Sequence, residues 1–280
     1  MFGKEYSNHP EVLMDSFKGM KNEYKRKAKI KQGNLIIFLQ KIYISIFGVP
    51  EIGFQLRSLY FLKIVEGKLI KKNIKSILDA GSGIGVYSFW LAKKFPHSKV
   101  LGGEIDIDKI IFTKKFAKII NADNVEFEYY DITNPTKNRN KYDLIINIDV
   151  LEHVDNYKKV LKNFYELLTP RGYLYLHTPQ PDQKRIFKNL KEWHHEDHVH
   201  EGFTPQELKR ELNKLGFKII DIKQTFGFFG KLAWELNHLT LLKGFIVAGV
   251  FYPFLYLIAN LDPFMKNKQG LGTAILAKKT

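Results

Sequence analysis

From residue 74 onward the chain alternates between two apolar rhythms. Short apolar runs such as "SILDA", "KVLGGE", "YDLIINI" and "YLYLHT" are bounded by Gly, Pro, Asn or Asp. They predict strands near 75–79, 99–104, 125–130, 142–148, 173–178, 217–224 and 271–278. Segments with apolar residues three and four apart separate the first six strands and predict helices between them. Strands alternating with helices give an α/β protein with a parallel, doubly wound sheet. One helix is marked with particular clarity by "TPQE": Thr204 and Glu207 at capping-box spacing, Pro205 in the first turn, and Gly216 as its stop.

Two regions lie outside that alternation. Residues 1–73 are basic and then apolar ("LIIFLQKIYISIFGVP"), and read as a helical extension. Residues 229–268 interrupt the core between the sixth and seventh strands, which leaves 74–228 plus 269–280 as the central domain. The insertion contains "GFIVAGVFYPFLYLIANL" at 244–261, a stretch without a charge and long enough to be weighed as a membrane span. Both of its ends must return to one sheet, however, and Pro253 is expected to break or kink a straight helix. A monotopic or re-entrant patch, a cap over a cleft, a homodimer interface and plain internal packing all remain open for it.

Composition narrows the chemistry. The 280 residues include no Cys, which excludes disulfides, thiolate metal sites and cysteine nucleophiles, and agrees with a cytoplasmic setting. No apolar secretory core is visible in the first twenty residues. The net charge is +15, and residues 1–76 hold 15 Lys and Arg against 6 Asp and Glu. A basic stretch such as "KNEYKRKAKIK" suits an anionic membrane surface or nucleic acid, although a solvated helix face is the plainer reading.

The chemistry is concentrated in "SILDAGSGIGVYSFWLAKKFPHSKVLGGEID". A strand, a glycine turn and a helix bring backbone close to a ligand and point helix N–H groups at it. Glu104, at the tip of the second strand, is placed to accept from the hydroxyls of a ribose. Val86 stands where the dinucleotide fingerprint needs its last glycine, and Asp79 before the turn would repel a pyrophosphate. The same carboxylate suits a ligand with a positive amino-acid end, which favours S-adenosylmethionine over a dinucleotide. Asp106 is solvated or caps the next helix.

With "LDAGSGIG", "GGEID", "VEFEYYDI", "YDLIINIDVLEHVDN" and "VLKNFYELLTPRGYLYLHTP" in order, residues 74–228 resemble the class I S-adenosylmethionine-dependent methyltransferases. The resemblance implies a Rossmann-like sheet of seven strands in the order 3-2-1-4-5-7-6, the last antiparallel and supplied by "GTAILAKK". It implies that S-adenosylmethionine is held by Asp79, Gly81, Ser82, Gly83, Gly85, Glu104 and Asn147, with Asp131 near the adenine. Ile105 and Ile132 would sandwich that ring, or else belong to the core.

Methyl transfer to an alcohol, phenol or ammonium group also needs a proton removed at the mouth of the site. His153 in "VLEHV" is the first candidate, with packing or capping as its alternative. His195 and His198 in "EWHHEDHVHEGFT" are further candidates on a loop that covers the acceptor in the resembling family. That cluster lacks H-E-x-x-H spacing, and no metal is expected. No N-P-P-Y-type motif or RNA-binding module is present, which argues against a nucleic-acid acceptor. The leading expectation is methylation, on oxygen, of a hydrophobic, lipid-linked or sugar-linked small molecule by an enzyme peripheral to a membrane. A nucleic-acid methyltransferase and a non-catalytic S-adenosylmethionine-binding scaffold are the alternatives.

Overall fold

A computed structural model describes residues 34–47, 51–135, 141–187, 190 and 198–280. Its strands are β1 (Ser76–Ala80), β2 (Lys99–Glu104), β3 (Val125–Tyr129), β4 (Tyr142–Ile148), β5 (Leu168–Pro179), β6 (Phe217–Thr225) and β7 (Gly272–Lys279). They form one sheet in the order β3-β2-β1-β4-β5-β7-β6. β1 to β5 pair in parallel, and β7 runs antiparallel to both β5 and β6. This is the expected Rossmann-like order with its reversed last strand.

The helices are α1 (Asn34–Phe47), α2 (Ile52–Phe61), α3 (Val86–Lys94), α4 (Ile107–Ile119), α5 (Tyr157–Leu167), α6 (Pro205–Lys214), α7 (Phe228–Leu242) and α8 (Phe245–Leu261). One face of the sheet packs Phe61, Trp90, Phe116 and Tyr175 into a buried cluster; the other packs Leu161, Phe164, Leu208 and Leu212. A third cluster joins α2, α7 and α8 through Leu56, Trp234, Tyr252 and Leu255. α2 continues through a π-helical turn, Leu62–Glu66, and its Ile64 and Val65 share a cluster with Ile77 of β1. No break in packing falls between residues 73 and 74.

Four local expectations are revised. Among the described residues the β3–β4 connection holds no helix; Asp131–Asn134 make a turn closed by Asn134 N–H on the Asp131 carbonyl at 3.1 Å. β5 begins at Leu168, because Leu168 pairs with Tyr142 across an irregularity in the ladder before Tyr173 pairs with Leu144. The cap of α6 is only half a capping box. Thr204 Oγ1 accepts from Glu207 N–H at 3.2 Å, while the Glu207 carboxylate accepts from the Tyr157 hydroxyl at 3.1 Å.

The fourth concerns Pro253, which does not break α8: the helix continues on both sides of it. A proline cannot donate to the carbonyl four residues back, here that of Gly249. The Tyr43 hydroxyl of α1 donates to that carbonyl at 2.9 Å, so the acceptor orphaned by proline is satisfied from outside the helix.

Candidate active site

β1 ends at Asp79 and Ala80, and the chain turns through Gly81, Gly83 and Gly85 with φ of +88°, +55° and +81°. That left-handed backbone is cheap only for glycine. Gly81 and Ser82 N–H donate to the Gly103 carbonyl of β2 at 2.8 and 3.0 Å, which fixes the turn against the neighbouring strand. A Cβ on Gly81 would overlap Val150, whereas one on Gly83 would meet nothing within 4 Å. Gly81 therefore serves packing and Gly83 faces open space. Gly85 sits against Phe127 and Phe89 at the start of α3.

The Glu104 carboxylate closes this cradle. Oε2 accepts from Gly83 N–H at 2.7 Å, and Oε1 from Ile105 and Asp106 N–H at 3.0 and 3.1 Å. A carboxylate offers about four acceptor positions, so capacity remains for a ligand hydroxyl. Asp106 caps α4, as one sequence reading had it, by accepting from Asp108 N–H at 2.9 Å. Asp79 is buried, with Oδ2 accepting from Ser88 Oγ at 2.6 Å. Burial pushes its carboxyl up to about 7, Glu104 adds to the rise, and Ser88 opposes it.

Two buried polar atoms at this edge lack a hydrogen-bond partner: Ser82 Oγ and Asn147 Oδ1. The amide nitrogen of Asn147 donates to the Ala80 carbonyl at 2.7 Å. A glycine cradle, a carboxylate with acceptor capacity, a buried carboxyl and two orphaned polar atoms fit a nucleoside bearing an amino-acid tail. Ile105 projects from the β2 tip at 62% exposure, while Ile132 is buried among Tyr130 and Leu151. Asp131 Oδ1 accepts from Thr133 N–H and Oγ1 at 2.8 and 2.7 Å, holding the turn after β3.

The end of β4 adjoins this cradle through Val150, which abuts Gly81. Leu151–His153 form a 3₁₀ turn behind it. The Glu152 carbonyl accepts from Val199 and His200 N–H, both at 3.0 Å, and so seats the end of the His-rich loop beside β4. The His153 and His198 rings then meet edge to face with centroids 4.8 Å apart. Residues far apart in sequence thus form one site, while His195 lies outside the described residues. Glu152 lies beneath them, its carboxyl pushed well up by burial and by the charge of Asp149. Glu152, His153 and His198 each bring a ligand-capable atom within 4.8 Å of the others, a donor set that sequence spacing alone did not suggest.

A second constellation beside them was not foreseen. Asp149, in left-handed backbone at φ +51°, accepts on Oδ2 from Arg57 Nη1 at 2.9 Å and has Oδ1 2.6 Å from His177 Nδ1. His177 Nε2 lies 3.0 Å from Thr225 Oγ1. Asp149 and Glu51 hold the Arg57 guanidinium firmly charged against the opposing effect of burial. The available signal was a histidine within the apolar strand "YLYLHTP"; Arg57 gave none, because it comes from α2.

The fold and the site define an α/β protein with a Rossmann-like sheet and a cradle fitted to a nucleoside ligand. A model of the methyltransferase-domain family matches residues 55–222, and the chain belongs to that family. It is an S-adenosylmethionine-dependent methyltransferase. It is 27% identical over 171 residues to a ubiquinone biosynthesis O-methyltransferase of Coxiella burnetii, covering 58% of this chain and 70% of that one. It is 30% identical over 105 residues to an (S)-coclaurine N-methyltransferase of Thalictrum flavum subsp. glaucum, covering 38% of this chain and 29% of the relative.

Among solved structures, a Brevibacillus brevis O-methyltransferase from a trans-AT PKS multienzyme, in complex with S-adenosyl-L-homocysteine, shares the fold at TM-score 0.51 and 16% identity. That match covers 81% of this chain and 72% of the other. The [4+2]-cyclase SpnF matches at TM-score 0.54 and 16% identity, covering 79% and 80%. Likeness of fold at this level leaves the reaction to be argued from the site.

Proposed function

We infer that the enzyme methylates an oxygen of a hydrophobic small molecule, of the lipid-linked or sugar-linked kind. The observation that carries this reading is the His153–His198 pair just past the C-terminal end of β4, where His153 N–H donates to the carbonyl of Val150, the residue packed against Gly81. S-adenosylmethionine supplies an electrophilic methyl group, and the chain has to bind it, orient the acceptor and exclude water. Glu104 would hold the ribose, Asn147 Oδ1 and Asp79 the amino-acid end, and Ile105 one face of the base. His153 or its ring partner His198 would take the proton of an acceptor hydroxyl as the O–CH₃ bond forms and the S–CH₃ bond breaks, with S-adenosyl-L-homocysteine as the leaving group. The Arg57–Asp149–His177 constellation positions the strand edge on which that acceptor rests.

The relationship to a ubiquinone biosynthesis O-methyltransferase supports an oxygen acceptor with apolar character. The test is methyl-labelled S-adenosylmethionine incubated with the purified enzyme and a fractionated extract of its source cells. Label in the organic-soluble fraction, released by ether-cleaving rather than amine-directed chemistry, is the expected result. Label in nucleic acid would overturn the acceptor class, and no label in any fraction would favour a binding scaffold.

A further inference from the structure

α8 is not amphipathic: both its inner and its outer face are apolar. Ala248, Tyr252, Leu255 and Ala259 form its inner stripe against α2 and α7. The opposite stripe, Val250, Phe251, Phe254, Leu257 and Leu261, is exposed to between 49% and 72%. Beside it lies α1, held by the Tyr43–Gly249 hydrogen bond and by Phe47 ring contacts with Tyr252 and Tyr256 at 5.9 and 5.6 Å. α1 also turns an apolar stripe outward, at Phe38, Leu39, Ile42 and Ile46. Phe264 and Met265 extend the exposed surface past the end of α8. Soluble monomers rarely expose apolar surface contiguously on this scale.

The charges that border the two helices in sequence are basic apart from Glu51 and Asp262, and Glu51 is engaged as the cap of α2, accepting from Gly53 N–H at 2.7 Å. No Asp, Glu, Lys or Arg occurs from 244 to 261. Asp262, at the end of α8, is buried and spent inward on the Tyr60 hydroxyl at 2.8 Å and on Gly227 and Gly230 N–H at 3.1 and 2.9 Å. What flanks the apolar stripes is Lys41, Lys243, Lys266 and Lys268. Apolar side chains bordered by lysines complement an anionic bilayer surface, where the lysines meet lipid headgroups.

The topology decides how such a surface is used. The α7–α8 insertion leaves β6 at Thr225 and re-enters β7 at Gly272, two residues paired across the same ladder. Its ends are therefore on one side of any membrane. α8, at 17 residues, is about 25 Å long and short of the roughly 30 Å hydrocarbon core. The window Val247–Phe264 is 33% buried in the protein itself. A helix packed along one side against its own domain cannot be surrounded by lipid, but it can lie in the interface with its free side in the acyl region.

We propose that the paired outer faces of α1 and α8 form a monotopic dock that seats the enzyme on one leaflet of an anionic lipid bilayer. This does not depend on the identity of the acceptor, although it bears on its supply. α2 packs beneath α8 through Ile52 and Leu56 and carries Arg57 to Asp149 at the acceptor edge. The dock and the site thus share one rigid helix.

The test is flotation of the full chain with vesicles of phosphatidylcholine alone and of phosphatidylcholine mixed equally with phosphatidylglycerol. The expected result is flotation with the anionic vesicles and little with the neutral ones. The triple variant Phe251→Glu, Phe254→Glu, Leu257→Glu changes only exposed positions. It should lose the anionic-vesicle fraction by about tenfold while binding S-adenosylmethionine with unchanged affinity, which verifies its fold. Wild-type protein that floats with neither vesicle overturns the proposal. So does a triple variant that still floats, since the basic residues outside the dock would then suffice. A wild-type dimer in solution that the triple variant converts to monomer, without flotation of either, reassigns the patch to a second copy of this chain.

Discussion

The Glu104 carboxylate accepts a hydrogen bond from Gly83 N–H at 2.7 Å, which ties the tip of β2 to the glycine turn after β1. One side chain thus shapes the cradle and, in the proposed reading, would also present oxygen atoms to a ribose. Glu104→Ala removes both contributions. Charge-assisted hydrogen bonds are worth about 1.5–3 kcal/mol each, so S-adenosylmethionine affinity should fall by about a hundredfold or more. Glu104→Gln, which keeps an acceptor for Gly83, should fall between the two. Titration calorimetry of the three proteins checks this; wild-type affinity in Glu104→Ala would remove the ribose assignment.

Gly81 and Gly83 share a left-handed backbone but differ in what surrounds them. Gly83→Ala meets no protein atom within 4 Å and bears only the backbone strain of φ +55°, about 1 kcal/mol. Its methyl group enters the cradle, so the variant should fold and bind S-adenosylmethionine weakly. Gly81→Ala drives a methyl group into Val150 at φ +88° and should lower thermal stability well beyond that. Melting temperature and cofactor affinity, measured on both variants, should separate the two roles. Equal loss of stability with equal affinity would contradict the separation.

What could be read from sequence, and what could not, follows from the range of the interactions. The cradle was legible because strand, turn, helix and second strand are consecutive, and each glycine and carboxylate marks a local backbone requirement. The sheet order followed from the resemblance. His153 and His198 were separately visible, but their meeting was not, since it depends on the Glu152 carbonyl receiving two N–H groups from a distant loop. Arg57 was hidden for the same reason: it reaches Asp149 from a helix in the segment read as an extension. Pro253 does not end α8, and the carbonyl it orphans is satisfied by Tyr43, a partner no local rule supplies.

Asp79 gives the protein a pH-dependent term. Its folded-state value is about 7 against an ordinary 3.8, so the neutral form is favoured by folding. That stability is fully present below the ordinary value and is lost as pH rises through about 7. Asp79→Asn lacks the term, and its stability relative to wild type should increase between about pH 4 and pH 7 and then level off. Wild-type S-adenosylmethionine affinity should rise over the same range, because a cationic amino group favours the ionised carboxylate, and the variant should flatten that rise. Thermal denaturation and calorimetry at three pH values test both. A stability difference that does not vary with pH would mean that the buried carboxyl is not neutral in the folded chain.

The His153–His198 pair makes the sharpest demand on the acceptor chemistry. If the rings accept the proton of a hydroxyl, each single alanine variant should lower kcat by about 10²–10³ while leaving S-adenosylmethionine affinity intact, since neither residue touches the cradle. The double variant should be scarcely worse than the worse single one, because groups that act as a unit are not additive. A proton-accepting pair also keeps its activity after exhaustive chelation. Loss of turnover in chelator that an added transition-metal dication such as Zn²⁺ restores would instead make Glu152, His153 and His198 a cation site, with the hydroxyl activated by the metal. Three measurements on the same proteins therefore separate the two chemistries: cofactor affinity, kcat against the labelled acceptor, and turnover with and without chelator. Only full activity in both single variants would remove this corner of the fold from catalysis.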